Sequence, residues 1–83
     1  MDKHFTIWIK TDCSYCVSAR DELYNQRVDH TIYIMDNKIE ELNSLKKRWE
    51  HPTVPLIVHG DKAPETLIGG YDDLKKWFDL QKE

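Results

Sequence analysis

The chain opens on an alternation. In His4-Phe5-Thr6-Ile7-Trp8-Ile9, residues Phe5, Ile7 and Ile9 fall on one side among mostly β-favouring neighbours, and this period of two predicts a strand. From Cys13 the period becomes helical. Cys16, Ala19 and Leu23 share a stripe, Ser18, Arg20, Asp21 and Glu22 form a polar face, and the helix is expected to end near Asn25-Gln26. Thr31-Ile32-Tyr33-Ile34-Met35 is β-branched, aromatic and nearly all apolar, as suits a second strand parallel to the first across a right-handed βαβ unit. Ile39, Leu42, Leu45 and Trp49 then predict a second helix over Lys38 to Trp49, with Asn37 and Glu40 resembling a capping box. Lys46 and Lys47 complement its negative end, and Pro52 stops it.

The apolar run Leu56-Ile57-Val58 follows Thr53-Val54-Pro55. Proline cannot donate to a ladder, so Pro55 lies at an edge or serves a site, and the residues leave both open. The segment His59-Gly60-Asp61-Lys62-Ala63-Pro64 carries turn chemistry and leads to Glu65-Thr66-Leu67-Ile68, which predicts an antiparallel hairpin. Gly69-Gly70 breaks the second of these strands. Tyr71-Asp72-Asp73 opens a last helix with Leu74, Trp77 and Phe78 as its stripe and Asp72 as the N-cap candidate. The order βαβ, helix, ββα is the thioredoxin arrangement: an α/β fold with a four-stranded mixed sheet in order 2-1-3-4 and three helices.

Composition narrows the function classes. Eighty-three residues are expected to form one small domain over 1–83 with a core of limited margin. The charged start Met1-Asp2-Lys3-His4 leads into only a short apolar run, so neither a secretory signal nor a membrane span is expected, and a cytoplasmic location follows as the expectation. A net charge of −3 offers no general attraction to nucleic acid or anionic lipid, and neither is expected as a partner.

The candidate chemistry lies in Lys10-Thr11-Asp12-Cys13-Ser14-Tyr15-Cys16, which holds both cysteines of the chain. A C-x-x-C between a strand and a helix reads as a dithiol redox site, since both thiols can lie on one turn. Cys13 falls where the helix begins, so free backbone N–H groups and the helix dipole favour its thiolate, with Lys10 adding positive charge. Cys13 is the expected nucleophile, and Cys16, one turn on and facing the sheet, the expected resolving thiol. Two other readings compete. Half a zinc site would need further ligands, and His4, His30, His51 and His59 are scattered with no second pair at ligand spacing. Inert core cysteines would suit Cys13 poorly beside Asp12 and Ser14.

Three motifs in order give a narrower resemblance. Cys13-Ser14-Tyr15-Cys16 resembles the C-P-Y-C site of dithiol glutaredoxins, Thr53-Val54-Pro55 their T-V-P, and Gly69-Gly70-Tyr71-Asp72-Asp73 their G-G-x-x-D stretch. The likeness covers nearly the whole chain; thioredoxins, with C-G-P-C and no G-G-x-x-D element, fit less well. It implies a glutathione-dependent thiol–disulfide oxidoreductase that reduces protein–glutathione mixed disulfides and protein disulfides in electron transport and redox homeostasis. Glutathione is then the reductant, and the enzyme form needs no metal. The implied partners are glutathionylated or disulfide-containing proteins, with ribonucleotide reductase a candidate, and a monomer is expected.

The same resemblance assigns residues. Cys13 and Cys16 are catalytic, while Lys10, Tyr15, Thr53, Val54, Pro55, Gly70, Tyr71, Asp72 and Asp73 bind glutathione. Pro55 is implied to be cis, with the Val54 backbone pairing to the ligand. The γ-glutamyl carboxylate would meet the helix start at Gly70 to Asp72, its ammonium Asp72 and Asp73, and the glycyl carboxylate Lys10, with Arg48 a second partner. The chain departs from the family pattern at Ser14, in place of proline, at Asp12, whose charge opposes the thiolate, and in a longer turn from Gly60 to Glu65. Two alternatives stand beside the enzyme. Some glutaredoxins with serine after the nucleophile carry an iron–sulfur cluster between two subunits, and small glutaredoxin-like redoxins are fed by thioredoxin reductase to serve ribonucleotide reductase. The Gly70 to Asp73 stretch argues against the second.

Overall fold

The computed structural model describes residues 4–60 and 65–81. Seven elements follow one another: β1 (Phe5–Ile9), α1 (Ser14–Asn25), β2 (His30–Ile34), α2 (Ile39–Arg48), β3 (Leu56–His59), β4 (Thr66–Gly69) and α3 (Tyr71–Gln81). They build one four-stranded sheet in the order β2-β1-β3-β4, with β1 parallel to β2 and antiparallel to β3, and β3 antiparallel to β4. This is the expected thioredoxin fold.

The period-two strand packs as its pattern requires. Phe5, Ile7 and Ile9 are buried on one face with Ile57 of β3, and Cys16, Ala19 and Leu23 of α1 and Leu74 and Phe78 of α3 close over them. Each large apolar side chain so buried contributes about 1.5–3 kcal/mol relative to exposure. Phe5 sits at the centre of an aromatic group, edge-on to Trp77 at 5.2 Å and tilted against Phe78 at 5.6 Å. Leu56 and Val58 alternate with Ile57 and are buried on the sheet's other face.

Three expectations need correcting in detail. Strand β2 begins one residue earlier than Thr31 and ends at Ile34, although the Met35 amide still bonds the Ile9 carbonyl at 2.8 Å. Tyr33 and Ile34 of this strand are exposed, in keeping with its place at the edge of the expected sheet order. Asn37 does not cap α2; Lys38 holds the N-cap position and makes no side-chain cap bond. Asp72 is not the cap of α3. The helix starts at Tyr71, the Leu74 amide bonds the Gly70 carbonyl at 3.0 Å, and Asp73 reaches back to the Gly70 amide at 3.1 Å. The carboxylate two positions past the helix start has the right reach for that amide, as in the second half of a capping box. Most of the longer turn between β3 and β4, 61–64, lies outside the described residues.

Candidate active site

Two turns and one cap bring the site together. Cys13 is the N-cap of α1, with extended backbone (φ −121°, ψ 111°), so its side chain takes the place that a serine or aspartate often holds. The Cys16 amide donates to Cys13 Sγ at 3.1 Å, and Cys13 Sγ lies 3.9 Å from the Val54 carbonyl, to which the thiol donates. The Cys13 sulfur thus lies at the N-terminal end of a twelve-residue helix, held by one of its amides.

Cys16 differs sharply. It is fully buried, and burial first, then its hydrogen bond to Cys13, push its thiol from 9.0 up to about 12. The charges of Cys13 and Asp12 act in the same direction, and a backbone hydrogen bond from Lys10 opposes them. One thiol is therefore partly open and held by a helix amide, and the other is kept protonated in the core. Both are free in this structure.

The loop ahead of Cys13 is fastened from a distance. Asp36, just past β2, accepts from the Thr11 amide at 3.0 Å and from the Thr11 hydroxyl. These bonds, with the charge of Lys10 as a lesser cause, hold the Asp36 carboxyl below its ordinary range. The Lys10 ammonium thus acts on Asp36.

Beside Cys13 runs a groove of about 340 Å³. Its walls are Tyr15 of α1, Thr53, Val54 and Pro55 ahead of β3, and Gly70, Tyr71, Asp72 and Asp73 at the start of α3. The Val54–Pro55 peptide bond is cis. Tyr15 and Tyr71 face each other across it with ring centroids 6.4 Å apart. Gly69, at φ +118°, makes the turn into α3; a β-carbon there would collide with the Asp73 carboxylate, so glycine is required both for its backbone and for the cap. Of the residues named from the sequence, Lys10 and Arg48 lie outside both this groove and the cysteine pair. The Arg48 guanidinium stands 5.3 Å over the Trp49 ring.

One groove residue escaped the sequence reading: His51. Helix α2 ends in a Schellman turn in which the Glu50 amide bonds the Lys47 carbonyl at 3.3 Å and the His51 amide the Lys46 carbonyl at 2.9 Å, with Glu50 in the left-handed region at φ 54°. The turn delivers the imidazole beside Thr53, Nε2 to Oγ1 3.4 Å. The only advance signal was its place immediately ahead of Pro52 and the T-V-P motif.

Comparison with known proteins agrees with this architecture. The family model Glutaredoxin matches residues 5–63. No curated protein matches the chain. Among solved structures, the dithiolic glutaredoxin of Trypanosoma brucei brucei is similar over 98% of this chain and 81% of its own, at 27% identity and a TM-score of 0.77. Glutaredoxin 1 of Francisella tularensis, solved with cacodylate, is similar over 95% and 98% at 25% identity and a TM-score of 0.68. A glutaredoxin of Brucella melitensis, 23% identical over 95% of this chain and 82% of its own, shares the fold with a TM-score of 0.75. With both cysteines at the start of α1 beside the groove and a family match across most of its length, the chain belongs to the glutaredoxin family and is a thiol–disulfide oxidoreductase.

Proposed function

We propose that the protein reduces glutathione mixed disulfides and protein disulfides with glutathione as the electron source. The observation that carries this reading is the groove running from the cysteine pair to the first turn of α3, lined by Thr53, Val54, Gly70 and Asp72. An extended tripeptide laid there would place its cysteine sulfur at Cys13, pair its backbone with Val54, and end at α3. The Gly70 amide is taken by Asp73, but the following amides belong to the set a helix leaves without partners, and they suit a carboxylate. Asp72 offers an exposed carboxylate to the adjacent ammonium.

The exchange balances in two steps. Cys13 thiolate attacks the glutathione sulfur of a protein–glutathione disulfide; that S–S bond breaks, and the protein thiolate leaves and takes a proton. A second glutathione thiolate then attacks the glutathionyl sulfur, releasing glutathione disulfide and restoring the Cys13 thiolate. With a protein disulfide, Cys13 first joins the substrate. Cys16 then attacks Cys13 Sγ, the substrate leaves as a dithiol, and two glutathiones reduce the resulting Cys13–Cys16 disulfide. Once Cys13 is in a mixed disulfide its charge is gone, so part of what holds the Cys16 proton goes with it. The resolving thiol is thereby activated at the step that needs it.

The test is reduction of a glutathionylated peptide, with glutathione and glutathione reductase as the only electron source. Turnover saturating in glutathione supports the reading. Turnover with thioredoxin reductase alone would favour the reductase-fed redoxin, and a coloured, glutathione-dependent dimer after anaerobic iron and sulfide reconstitution would favour the cluster carrier.

A further inference from the structure

We propose that His51 is a binding residue for the α-amino-carboxylate end of the groove's ligand, and that its protonation strengthens that binding. The inference rests on the glutathione reading above and deepens it.

Four observations converge on the imidazole. It lines the groove opposite the start of α3. Its Nε2 lies 4.0 Å from the point where a β-carbon on Gly70 would stand, and the Pro55 carbonyl lies 3.9 Å from the same point, so glycine leaves an opening between histidine and helix. Its present partner is the Thr53 hydroxyl at 3.4 Å, a long contact that a carboxylate oxygen can displace or share. Its backbone is held by the Schellman bond to Lys46, so the ring is aimed by the turn rather than by chance.

A carboxylate seated on the free amides of α3 would therefore have an imidazole N–H on its other side. Neutral histidine supplies one donor; the imidazolium adds charge to the same bond. The other ionisable groups facing this end are Asp72 and Asp73 of α3 with Tyr71, and Tyr15 from α1. Asp73 is engaged with the Gly70 amide, and Asp72 is left for the ligand's ammonium. On the histidine's own segment Glu50 points to solvent and Arg48 is stacked over Trp49. Carboxylates ordinarily titrate at about 4 and phenols at about 10, whereas imidazoles change charge at about 6.5. Acid strengthening between pH 8 and 5.5 is thus the signature of the histidine.

The measurement is an NMR titration of the reduced protein with S-methylglutathione, which cannot undergo thiol exchange, followed at the Gly70 and Tyr71 amides. N-acetyl-S-methylcysteinylglycine, which lacks the γ-glutamyl group and carries no free amine, is the control. Wild type should bind S-methylglutathione roughly fivefold tighter at pH 5.5 than at pH 8. His51→Gln should lose the pH dependence, His51→Arg should bind tightly at both values, and the control ligand should show no dependence in any of the three proteins. The same pH dependence in His51→Gln, or an equal dependence for the control, would overturn the role of His51 alone. No binding of S-methylglutathione to wild type at either pH would overturn the glutathione reading itself.

Discussion

The Asp73 carboxylate accepts from the Gly70 amide at 3.1 Å and lies against the open face of Gly69. Its neighbour Asp72 makes no such bond and is exposed at the groove. The two adjacent acids therefore differ: one holds the turn and the other is left open at the groove. Asp73→Ala should lower stability by about 1 kcal/mol through loss of the cap, read as a shift in the urea midpoint. Asp72→Asn should leave the midpoint nearly unchanged and raise the glutathione KM by roughly tenfold, since a charge-assisted hydrogen bond is worth about 1.5–3 kcal/mol. Equal effects of the two variants on stability would defeat this division.

The cysteines divide in the same way. Cys13, partly exposed and bonded by the Cys16 amide, should be the thiol that iodoacetamide labels at neutral pH; mass spectrometry should find Cys16 unmodified until the protein unfolds. Cys13→Ser should abolish turnover on every substrate. Cys16→Ser should retain reduction of a glutathionylated peptide, which needs no second thiol, and lose reduction of protein disulfides. Comparable loss in both variants on the glutathionylated peptide would refute the assignment.

The raised pKa of Cys16 has a consequence for stability. In the unfolded chain the thiol loses its proton near the ordinary value of 9.0, while in the fold it holds it up to about 12. Between these values the folded state binds more protons than the unfolded state, so stability falls as pH rises across that window and is fully present below it. Urea denaturation at a series of pH values should show this alkaline decline in wild type. Cys16→Ala should flatten it.

Asp36 works with the opposite sign. Its carboxyl is held below the ordinary range by the Thr11 hydroxyl and amide. The stabilisation is therefore present above the unfolded value of about 4 and is lost as pH falls through the folded value. Asp36→Ala should release the loop that carries Cys13: the protection of the Thr11 amide against hydrogen exchange, relative to its intrinsic rate at each pH, should be lost, and wild type should lose that protection only in acid. Unchanged exchange at Thr11 would sink the idea.

How much of this was legible in the sequence depends on the range of the interaction. The stripe Cys16, Ala19, Leu23 and the alternation of Phe5, Ile7 and Ile9 are local periods, and the core is built from them. The two cysteines and their order are likewise local, because Cys13 is both the last residue before α1 and its cap. What the pattern does not carry is set by the chain returning on itself. The Thr11–Asp36 pair spans twenty-five residues and depends on β1 and β2 lying side by side. His51 looked like one of several scattered histidines because its place in the groove comes from a left-handed residue, Glu50, that no composition rule expects there.

That left-handed residue invites the last test. Glu50 stands at φ 54° in the position of the Schellman turn where glycine is most common, and its side chain is exposed. An L-residue in this conformation costs about 1–2 kcal/mol. Glycine removes that strain but gives the unfolded chain more freedom, worth about 0.4–1 kcal/mol in the other direction. Strain relief is the larger of the two, so Glu50→Gly should stabilise the protein by about 0.5–1 kcal/mol, a rise in Tm of roughly 2–8 °C for a domain of this size. The bonds from the Glu50 and His51 amides to Lys47 and Lys46 are backbone bonds and survive the change, so His51 keeps its place and the glutathione KM should not move. Glu50→Val is the counterpart, since a β-branched residue is worse than glutamate at positive φ; it should lower the Tm and, by loosening the turn that aims His51, raise the KM. A fall in Tm for Glu50→Gly would mean that the Glu50 side chain contributes a contact outweighing the strain, and a KM that stays fixed in Glu50→Val would separate the groove from the turn that ends α2.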